Sequence, residues 1–158
     1  MLDDVQLRPL CADDAAFLID ALYHAIYVPP GTPSPPKTIV QQPELAVYID
    51  DFGTQRGDQG VLAVHEATPV GAAWSRLIRG YGFVDESIPE LSISLLSGYR
   101  GKGIGTRLLE ALFARLKGKA EHVSLSVNRS NPAYRLYERH GFRVVRVDGD
   151  SVVMLRDL

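Results

Sequence analysis

Apolar and polar residues follow two different periods along this chain, and these periods predict which segments form strands and which form helices. Short runs that alternate, or that are apolar throughout and end at turn residues, are typical of strands. Apolar residues spaced three and four apart are typical of helices that bury one face. The predicted strands cover residues 5–10, 61–65, 70–79, 90–96, 123–127, 142–147 and 151–155. The predicted helices cover residues 13–27, 44–51, 103–117 and 131–140.

The order of these segments is β-α-α-β-β-β-α-β-α-β-β, which combines antiparallel hairpins with a central β-α-β unit. This order predicts the α+β (mixed α/β) class, with a mixed, mostly antiparallel twisted sheet of about seven strands flanked by about four helices. Six prolines within residues 29–43 predict a semi-rigid loop there rather than a packed element. No internal repeat or domain boundary interrupts the pattern, so residues 1–158 are expected to form a single domain.

Composition and charge exclude several classes of protein. The hydrophobic fraction of 46% suits a globular core, and a net charge of −2 without a basic stripe argues against a nucleic-acid-binding protein. A single cysteine, Cys11, excludes a disulfide framework, and no cysteine–histidine spacing suggests a metal site. The acidic start Met1–Asp4 lacks the apolar stretch of a signal peptide, and no apolar run approaches the roughly 20 residues of a membrane span. We therefore expect a soluble, cytoplasmic protein with no metal, membrane or nucleic-acid partner.

A glycine-rich segment, Tyr99–Thr106 (YRGKGIGT), separates a predicted strand from a predicted amphipathic helix. A helix that begins in such a loop has unpaired backbone N–H groups at its start, and glycines let an anion approach them closely. The segment does not fit the P-loop, because Lys102 is followed by glycine and Thr106 lies too far along. It does not fit the dinucleotide fingerprint either, because Gly105 comes one residue too early. It therefore predicts a phosphate-binding loop of another kind.

Two motifs in the C-terminal half, taken together, resemble the GNAT superfamily of acetyl-CoA-dependent N-acetyltransferases. The first is Arg100–Gly105 (RGKGIG), which matches the superfamily's Arg/Gln-x-x-Gly-x-Gly/Ala pattern. The second is Asn131–Phe142 (NPAYRLYERHGF), which matches its Asn-Pro-Ala…Leu-Tyr-Glu-Arg-x-Gly-Phe segment. The chain departs from a common pattern at Ser97 and Gly98, where proline often precedes the polar residue. The resemblance implies a GNAT-like acyl-CoA N-acyltransferase fold and transfer of an acetyl group from acetyl-CoA as co-substrate.

The resemblance also implies where the cofactor binds. Backbone N–H groups of the glycine-rich loop would hold the pyrophosphate of coenzyme A, at Arg100, Gly101, Lys102, Gly103, Ile104, Gly105 and Thr106. The backbone of the preceding strand would pair with the pantetheine amides, at Ser94, Leu95 and Leu96. Asn131 and Tyr134, on the last helix, would line the cofactor arm. The strands that carry Leu95 and Val127 would diverge, and the thioester would lie in the gap between them.

Tyr137 matches the position of the superfamily's usual general acid. Attack of an amine on a thioester expels an alkyl thiolate, which needs a proton donor. A phenol, with a pKa of about 10, can supply that proton without ionising at neutral pH. Tyr137 also lies on a helix that must bury one face, so a purely structural role in the core stays open.

The incoming ammonium group must lose a proton before it attacks, and this requirement directs attention to three acids. Glu90, at the start of the strand that leads into the loop, is the first candidate base, acting directly or through water. The alternative for Glu90 is a solvated acid at a strand end. Asp85 and Glu86 are further candidates that could instead bind a cationic acceptor.

The expected reaction is direct attack of a primary amine on acetyl-CoA in a ternary complex. The amine could belong to a small molecule, a peptide N-terminus or a lysine. Its pocket is expected between the N-terminal helices, the proline-rich segment and the loop over residues 80–89. A non-catalytic acyl-CoA-binding sensor is the alternative function. The last two strands often mediate dimers in the superfamily, so formation of a homodimer stays open.

Overall fold

Within residues 4–158, the part of the chain that the computed structural model describes, seven strands form one sheet and four α-helices pack against it. Residues 1–3, part of the acidic start considered above, lie outside this range. No helix within it is long and apolar enough to span a membrane. The strands are β1 (Gln6–Pro9), β2 (Gln59–His65), β3 (Thr68–Arg76), β4 (Glu90–Leu95), β5 (His122–Asn128), β6 (Arg143–Asp148) and β7 (Ser151–Asp157). The helices are α1 (Ala15–Ala25), α2 (Pro43–Ala46), α3 (Ile104–Leu116) and α4 (Ala133–Arg139).

The strands lie in the order β1-β2-β3-β4-β5-β7-β6. All neighbours are antiparallel except β4 and β5, which are parallel because the chain crosses over through α3 between them. These two strands pair at one position only, Glu90 with Ser124. The predicted α+β class, with a mixed and mostly antiparallel sheet, is confirmed.

The two faces of the sheet bury different helices, because successive residues of a strand point to opposite faces. Val61 of β2 joins the larger hydrophobic core, to which α3 contributes the fully buried Leu108 and Leu112. The next residue, Leu62, joins a second core, to which α1 contributes Leu18. Helices α1 and α3 therefore pack on opposite faces of the sheet.

The structure differs from the sequence prediction in the N-terminal half. Helix α2 covers only four residues, although hydrogen-bonded turns continue it to Asp50, whose N–H donates to the carbonyl of Ala46 at 2.8 Å. The proline-rich segment is not the unpacked loop that its composition predicts. It contains a 3₁₀ helix, Lys37–Gln41, which buries Val40. The carbonyl of Pro36, just before this helix, accepts a hydrogen bond from the N–H of Ile39.

Candidate active site

The divergence of β4 and β5 opens a cleft through the middle of the sheet. Beyond the pair Glu90–Ser124, no further backbone pairing joins the two strands within the described residues. The cleft has a volume of about 370 Å³. Its lining residues are Leu22, Ala25, Ile26, Leu45, Tyr48, Tyr81, Leu91, Ser92, Ile93, Leu125, Ser126, Val127, Asn131 and Tyr137. The predicted gap between the strands that carry Leu95 and Val127 is therefore present.

The hydrogen bonds of β4 decide which of its backbone groups face this cleft. The N–H of Leu96 donates to the carbonyl of Val70 at 2.9 Å, so residues 94 and 96 direct their backbone groups toward β3. The alternate residues, Ile93 and Leu95, direct theirs away from β3 and toward the gap. The prediction that Ser94 and Leu96 present their backbone to the cleft is therefore corrected, because both are bonded to β3. Leu95 and Ile93, the second of which the sequence analysis did not name, both direct their backbone groups toward the gap, and pairing of Leu95 with the cofactor stays a prediction.

The glycine-rich loop leads from β4 into the N-terminus of α3. Gly103 precedes the helix with a φ of +84°, and Gly101 has a φ of +72°, a region that side chains with a Cβ rarely adopt. A Cβ at either position would meet no atom within 4 Å, so the loop is open on its outer side. Helix geometry leaves the first N–H groups of α3 without intrahelical partners, and they point along its axis at that open side. The arrangement can bind an anion.

The side chains of the loop differ in how they are held. Ile104 is 1% exposed and anchors the start of α3 in the core, whereas Lys102 is exposed. Thr106 is half-buried in the first turn of the helix. The Nε of Arg100 donates to the carbonyl of Leu95 at 3.2 Å, which covers one of the two carbonyls that face the gap. Gly105 packs at ordinary contact distance, since its ideal Cβ would lie 3.7 Å from Leu95.

Helix α4 brings Tyr137 to the cleft, and the turn before the helix brings Asn131. Tyr137 is 8% exposed, its ring packs edge-on against Phe142 at 5.8 Å, and burial raises the pKa of its hydroxyl. This hydroxyl makes no hydrogen bond to any residue in the described range. Asn131 lies two residues before the helix, and its Oδ1 accepts from the N–H of Ala133, the first residue of α4, at 2.9 Å. Tyr134 is half-buried against the larger core and lies outside the set that lines the cleft.

Glu90 is buried and forms a pair with Tyr48. The carboxyl group is 2% exposed, and its Oε2 accepts a hydrogen bond from the hydroxyl of Tyr48. That hydroxyl in turn accepts from the N–H of Tyr81 at 2.9 Å. Burial raises the pKa of Glu90, although the Tyr48 hydrogen bond and the positive charge of Arg146 partly oppose this. Glu90 is therefore not a solvated acid at a strand end, and a carboxylate with a raised pKa is a stronger base.

The sequence analysis missed Tyr48, which lies 42 residues from its partner Glu90. Its ring is 7% exposed and lines the cleft, and its carbonyl accepts from the Nε1 of Trp74 at 2.9 Å. Trp74 itself is 1% exposed and belongs to the second core, on the face of the sheet that packs against α1. No motif or spacing connects Tyr48 to Glu90 in the sequence, because the contact is made by packing alone.

The structure does not bring the other two candidate acids to the cleft. Asp85 is exposed and accepts hydrogen bonds from the N–H and hydroxyl of Ser87. Glu86 is exposed and forms an ion pair with Arg79. Both carboxylates therefore have local partners on the surface of the loop.

Two glycines let the loop over residues 80–83 close around the Tyr48–Glu90 pair. A Cβ on Gly80 would collide with the hydroxyl of Tyr48 and lie 2.7 Å from Oε1 of Glu90. A Cβ on Gly82 would lie 2.8 Å from the backbone of Leu125 and 3.0 Å from the carboxyl carbon of Glu90. The loop can pack this closely only without side chains at these two positions.

Arg146, on the edge strand β6, forms hydrogen bonds to the loop over residues 80–83. The register of β6 against β7 shifts between Val144 and Arg146, and such a bulge re-aims the side chain that follows it. The guanidinium donates to the carbonyls of Phe83 at 2.8 Å and Tyr81 at 3.3 Å. Tyr81 is thereby held on both sides, by Arg146 at its carbonyl and by Tyr48 at its N–H.

We expect Gly80→Ala to destabilise the fold, because the new methyl group displaces both members of the buried pair. Overpacking of this kind costs about 1–3 kcal/mol, which corresponds to a Tm lower by roughly 2–12 °C for a chain of this size. Thermal denaturation of the unliganded protein measures the change. Gly98→Ala is the matched control, since a Cβ there meets nothing within 4 Å and the φ is not positive. An equal loss of Tm in both variants would contradict the packing argument.

Sequence comparison identifies relatives of this chain. The sequence model of the acetyltransferase (GNAT) family matches residues 21–142. An N-alpha-acetyltransferase of Saccharolobus solfataricus is 36% identical over 114 residues, which cover 61% of this chain and 68% of that protein. An N-alpha-acetyltransferase of Sulfurisphaera tokodaii is 47% identical over 74 residues, which cover 41% of this chain and 44% of that protein.

Comparison with solved structures agrees with the family match. The PaiA N-acetyltransferase of Thermoplasma acidophilum, in complex with coenzyme A, aligns with a TM-score of 0.71. The alignment covers 98% of this chain and 99% of that one at 22% sequence identity, a level at which the likeness shows the fold alone. The region matched by the family model extends from within α1 to the end of α4, so it contains the cleft, the glycine-rich loop and Tyr137. This chain therefore belongs to the GNAT family of acetyltransferases.

Proposed function

We propose that this protein, as a single domain, transfers an acetyl group from acetyl-CoA directly to the α-amino group of a peptide. One observation supports this most. The cleft is lined by two buried phenols, Tyr137 and Tyr48, and the hydroxyl of Tyr48 donates to the buried carboxylate of Glu90 behind it. A proton donor for the leaving group and a base for the nucleophile are therefore available at one cleft.

The cofactor would lie along β4 and across the N-terminus of α3. The N–H groups of residues 100–106 would hold the pyrophosphate, with the favourable end of the helix dipole behind them. Ile93 and Leu95 would offer their backbone groups to the pantetheine amides. Arg100 would then release the carbonyl of Leu95, to which its Nε donates at 3.2 Å. Asn131 would face the cofactor arm from the turn before α4, and Tyr134 would support it from behind.

Transfer would proceed by attack of the neutral amine on the acetyl carbonyl carbon. The C–N bond forms, the C–S bond breaks, and the electron pair of that bond moves to sulfur. Tyr137 donates its proton to the sulfur as the bond breaks, and the proton that nitrogen loses on forming the amide restores the phenol. Because burial raises the pKa of Tyr137, the hydroxyl stays protonated at neutral pH and is available as the acid.

Glu90 would act as the base that removes the first proton from the incoming ammonium group. Its raised pKa makes the carboxylate more basic than an exposed glutamate, and its burial keeps water from competing for the proton. Asp85 and Glu86 are poorer candidates for this role, because both have surface partners outside the cleft.

The end of the cleft where the acceptor would bind favours an amine substrate that carries few other charged groups. Four apolar side chains line this end: Leu22, Ala25, Ile26 and Leu45. Among the described residues that line the cleft there is no Asp, Glu, Lys or Arg. A polycationic amine would lose its hydration there without gaining ionic partners, whereas a peptide α-amine carries a single charge that is removed before reaction. The two curated relatives described as N-alpha-acetyltransferases support the same choice.

Release of free thiol from acetyl-CoA, measured over a panel of amines, tests this proposal. The panel contains peptides with a free N-terminus and a neutral first residue, the same peptides with a blocked N-terminus and one lysine, and polyamines. We expect turnover with the first group to exceed that with the other two by at least tenfold in kcat/KM. Preference for lysine or polyamines would overturn the peptide assignment. Tight binding of acetyl-CoA without turnover on any amine would indicate an acyl-CoA sensor instead.

A further inference from the structure

We propose that Tyr48 is a catalytic residue that takes the proton from the substrate amine and passes it to Glu90, so that the base acts through a phenol relay. This inference rests on the proposed function and adds a residue to it. It follows from where the two side chains lie. Tyr48 lines the cleft, whereas Glu90 lies behind it and is not among the lining residues. An amine in the cleft therefore borders Tyr48, whose hydroxyl is bonded to Glu90, and not Glu90 itself.

The hydrogen bonds of Tyr48 leave one position free for the amine. A phenol has one proton to donate and two lone pairs to accept with. The proton is directed at Oε2 of Glu90, and one lone pair accepts from the N–H of Tyr81. The remaining lone pair has no partner among the described residues, and Tyr48 borders the cleft. An ammonium group there can donate to Tyr48, which is already oriented to donate to Glu90.

The proton balance of the relay is simple. The substrate ammonium loses one proton to the oxygen of Tyr48 while Tyr48 gives its own proton to Oε2 of Glu90. Tyr48 is unchanged, Glu90 becomes a neutral carboxylic acid, and the amine becomes neutral and nucleophilic. After the product leaves, Glu90 returns its proton by the same route to water in the cleft. The two transfers occur together, because burial and the Glu90 charge raise the pKa of Tyr48 and disfavour a free phenolate.

Two positive groups on other strands of the sheet lie near this pair, one on β6 and one on β3. Arg146 of β6 acts on Glu90 across the loop and is bonded to backbone carbonyls. Arg76, the β3 residue paired with Glu90, forms an ion pair with Asp58. Its Nε donates to Oδ1 of Asp58 at 2.9 Å, and its Nη2 donates to Oδ2 at 3.2 Å. Neither supplies a proton acceptor, so Glu90 is the acceptor at the end of the relay.

The test is the pH dependence of Tyr48→Phe on a peptide substrate. At pH 6.5 the α-amine is mostly protonated, and we expect kcat/KM to fall by about 10²-fold, the lower end of general acid–base effects. At pH 9 the α-amine, with an unperturbed pKa of about 7.7–8.0, is already neutral, so the defect should shrink to less than about tenfold. The affinity for coenzyme A, measured by calorimetry, should be unchanged. A tyrosine with only a structural role would give the same defect at both pH values.

Glu90→Gln and the double variant complete the test, even if Tyr48→Phe proves unstable. Glu90→Gln should show the same pH-dependent defect, and the double variant should be no slower than either single variant, because both residues serve one step. Tyr23→Phe is the control, since its hydroxyl donates to the carbonyl of Pro35 at 2.7 Å and lies outside the cleft. Full activity of Tyr48→Phe at pH 6.5, a defect that pH does not change, or additive losses would overturn the relay alone. Absence of turnover by the wild-type protein on every amine would overturn the proposed function and the relay together.

Discussion

Replacement of Tyr137 by phenylalanine should lower kcat by about 10²- to 10⁴-fold, the usual contribution of a general acid. The ring would still fill the core and pack against Phe142, so the variant removes only the hydroxyl that faces the cleft. Without it the thiolate must leave unprotonated. Steady-state kinetics on acetyl-CoA and a peptide measure kcat, and calorimetry should give an unchanged Kd for coenzyme A.

Two further measurements distinguish a general acid at Tyr137 from a tyrosine that only packs in the core: the pH dependence of kcat and the variant Tyr134→Phe. Because burial raises the pKa of Tyr137, ionisation of the phenol should cause no loss of wild-type kcat up to a pH of about 10, the ordinary pKa of a tyrosine. Tyr134→Phe, three residues earlier on the same helix and outside the cleft lining, should change the affinity for coenzyme A at most. If Tyr137→Phe retains wild-type kcat, Tyr137 is a core aromatic and not the acid.

Glu90→Gln should lower kcat/KM at pH 6.5 by about 10²-fold, within the range of general base effects, and should at the same time stabilise the fold. The second effect follows from the raised pKa of Glu90. A buried acid of this kind favours folding while it is protonated, and the benefit is lost as the pH rises through its folded-state pKa. Glutamine stays neutral at every pH and can still accept from Tyr48. The Tm of the variant should therefore match the wild type near pH 4 and exceed it increasingly toward pH 8.

Thermal denaturation across that pH range measures the difference. A lower Tm for Glu90→Gln at neutral pH would mean that Arg146 and Tyr48 stabilise the carboxylate by more than burial destabilises it. The assignment of Glu90 as base would be contradicted by kcat/KM values that stay at the wild-type level at pH 6.5.

The parts of the site that could be predicted from the sequence are those encoded locally. The loop Tyr99–Thr106 needs glycine for its backbone angles, and the helix that follows it has leucines spaced three and four residues apart. The loop and α3 can therefore both be predicted from one continuous segment of the sequence. The position of Tyr137 followed from a second local motif on α4. The central β-α-β unit, in which α3 joins β4 to β5, was also visible in the order of the predicted elements.

The parts that could not be predicted depend on register and on distant packing. Alternation along β4 assigns side chains to faces of the sheet, but it does not say which neighbour the backbone groups of Ser94 or Leu95 point toward. The pairing of Leu96 with Val70 settles that question in the structure. Tyr48 could not be connected with Glu90, because the turns that follow α2 carry no pattern that identifies what they pack against.

The single backbone pair between β4 and β5 has a consequence for the lifetime of the protein. It divides the sheet into two half-sheets, β1 to β4 and β5 to β7, with an unfilled place between them. If the proposed function is correct, the pantetheine arm occupies this gap and hydrogen-bonds to the backbone of β4. The acyl donor then stabilises the fold in addition to taking part in the reaction. A ligand present at 100 times its Kd stabilises a folded protein by about 2.7 kcal/mol. Acetyl-CoA at that level would then lower the unfolded, protease-sensitive fraction about 100-fold, which links the supply of the donor to the lifetime of the protein that consumes it.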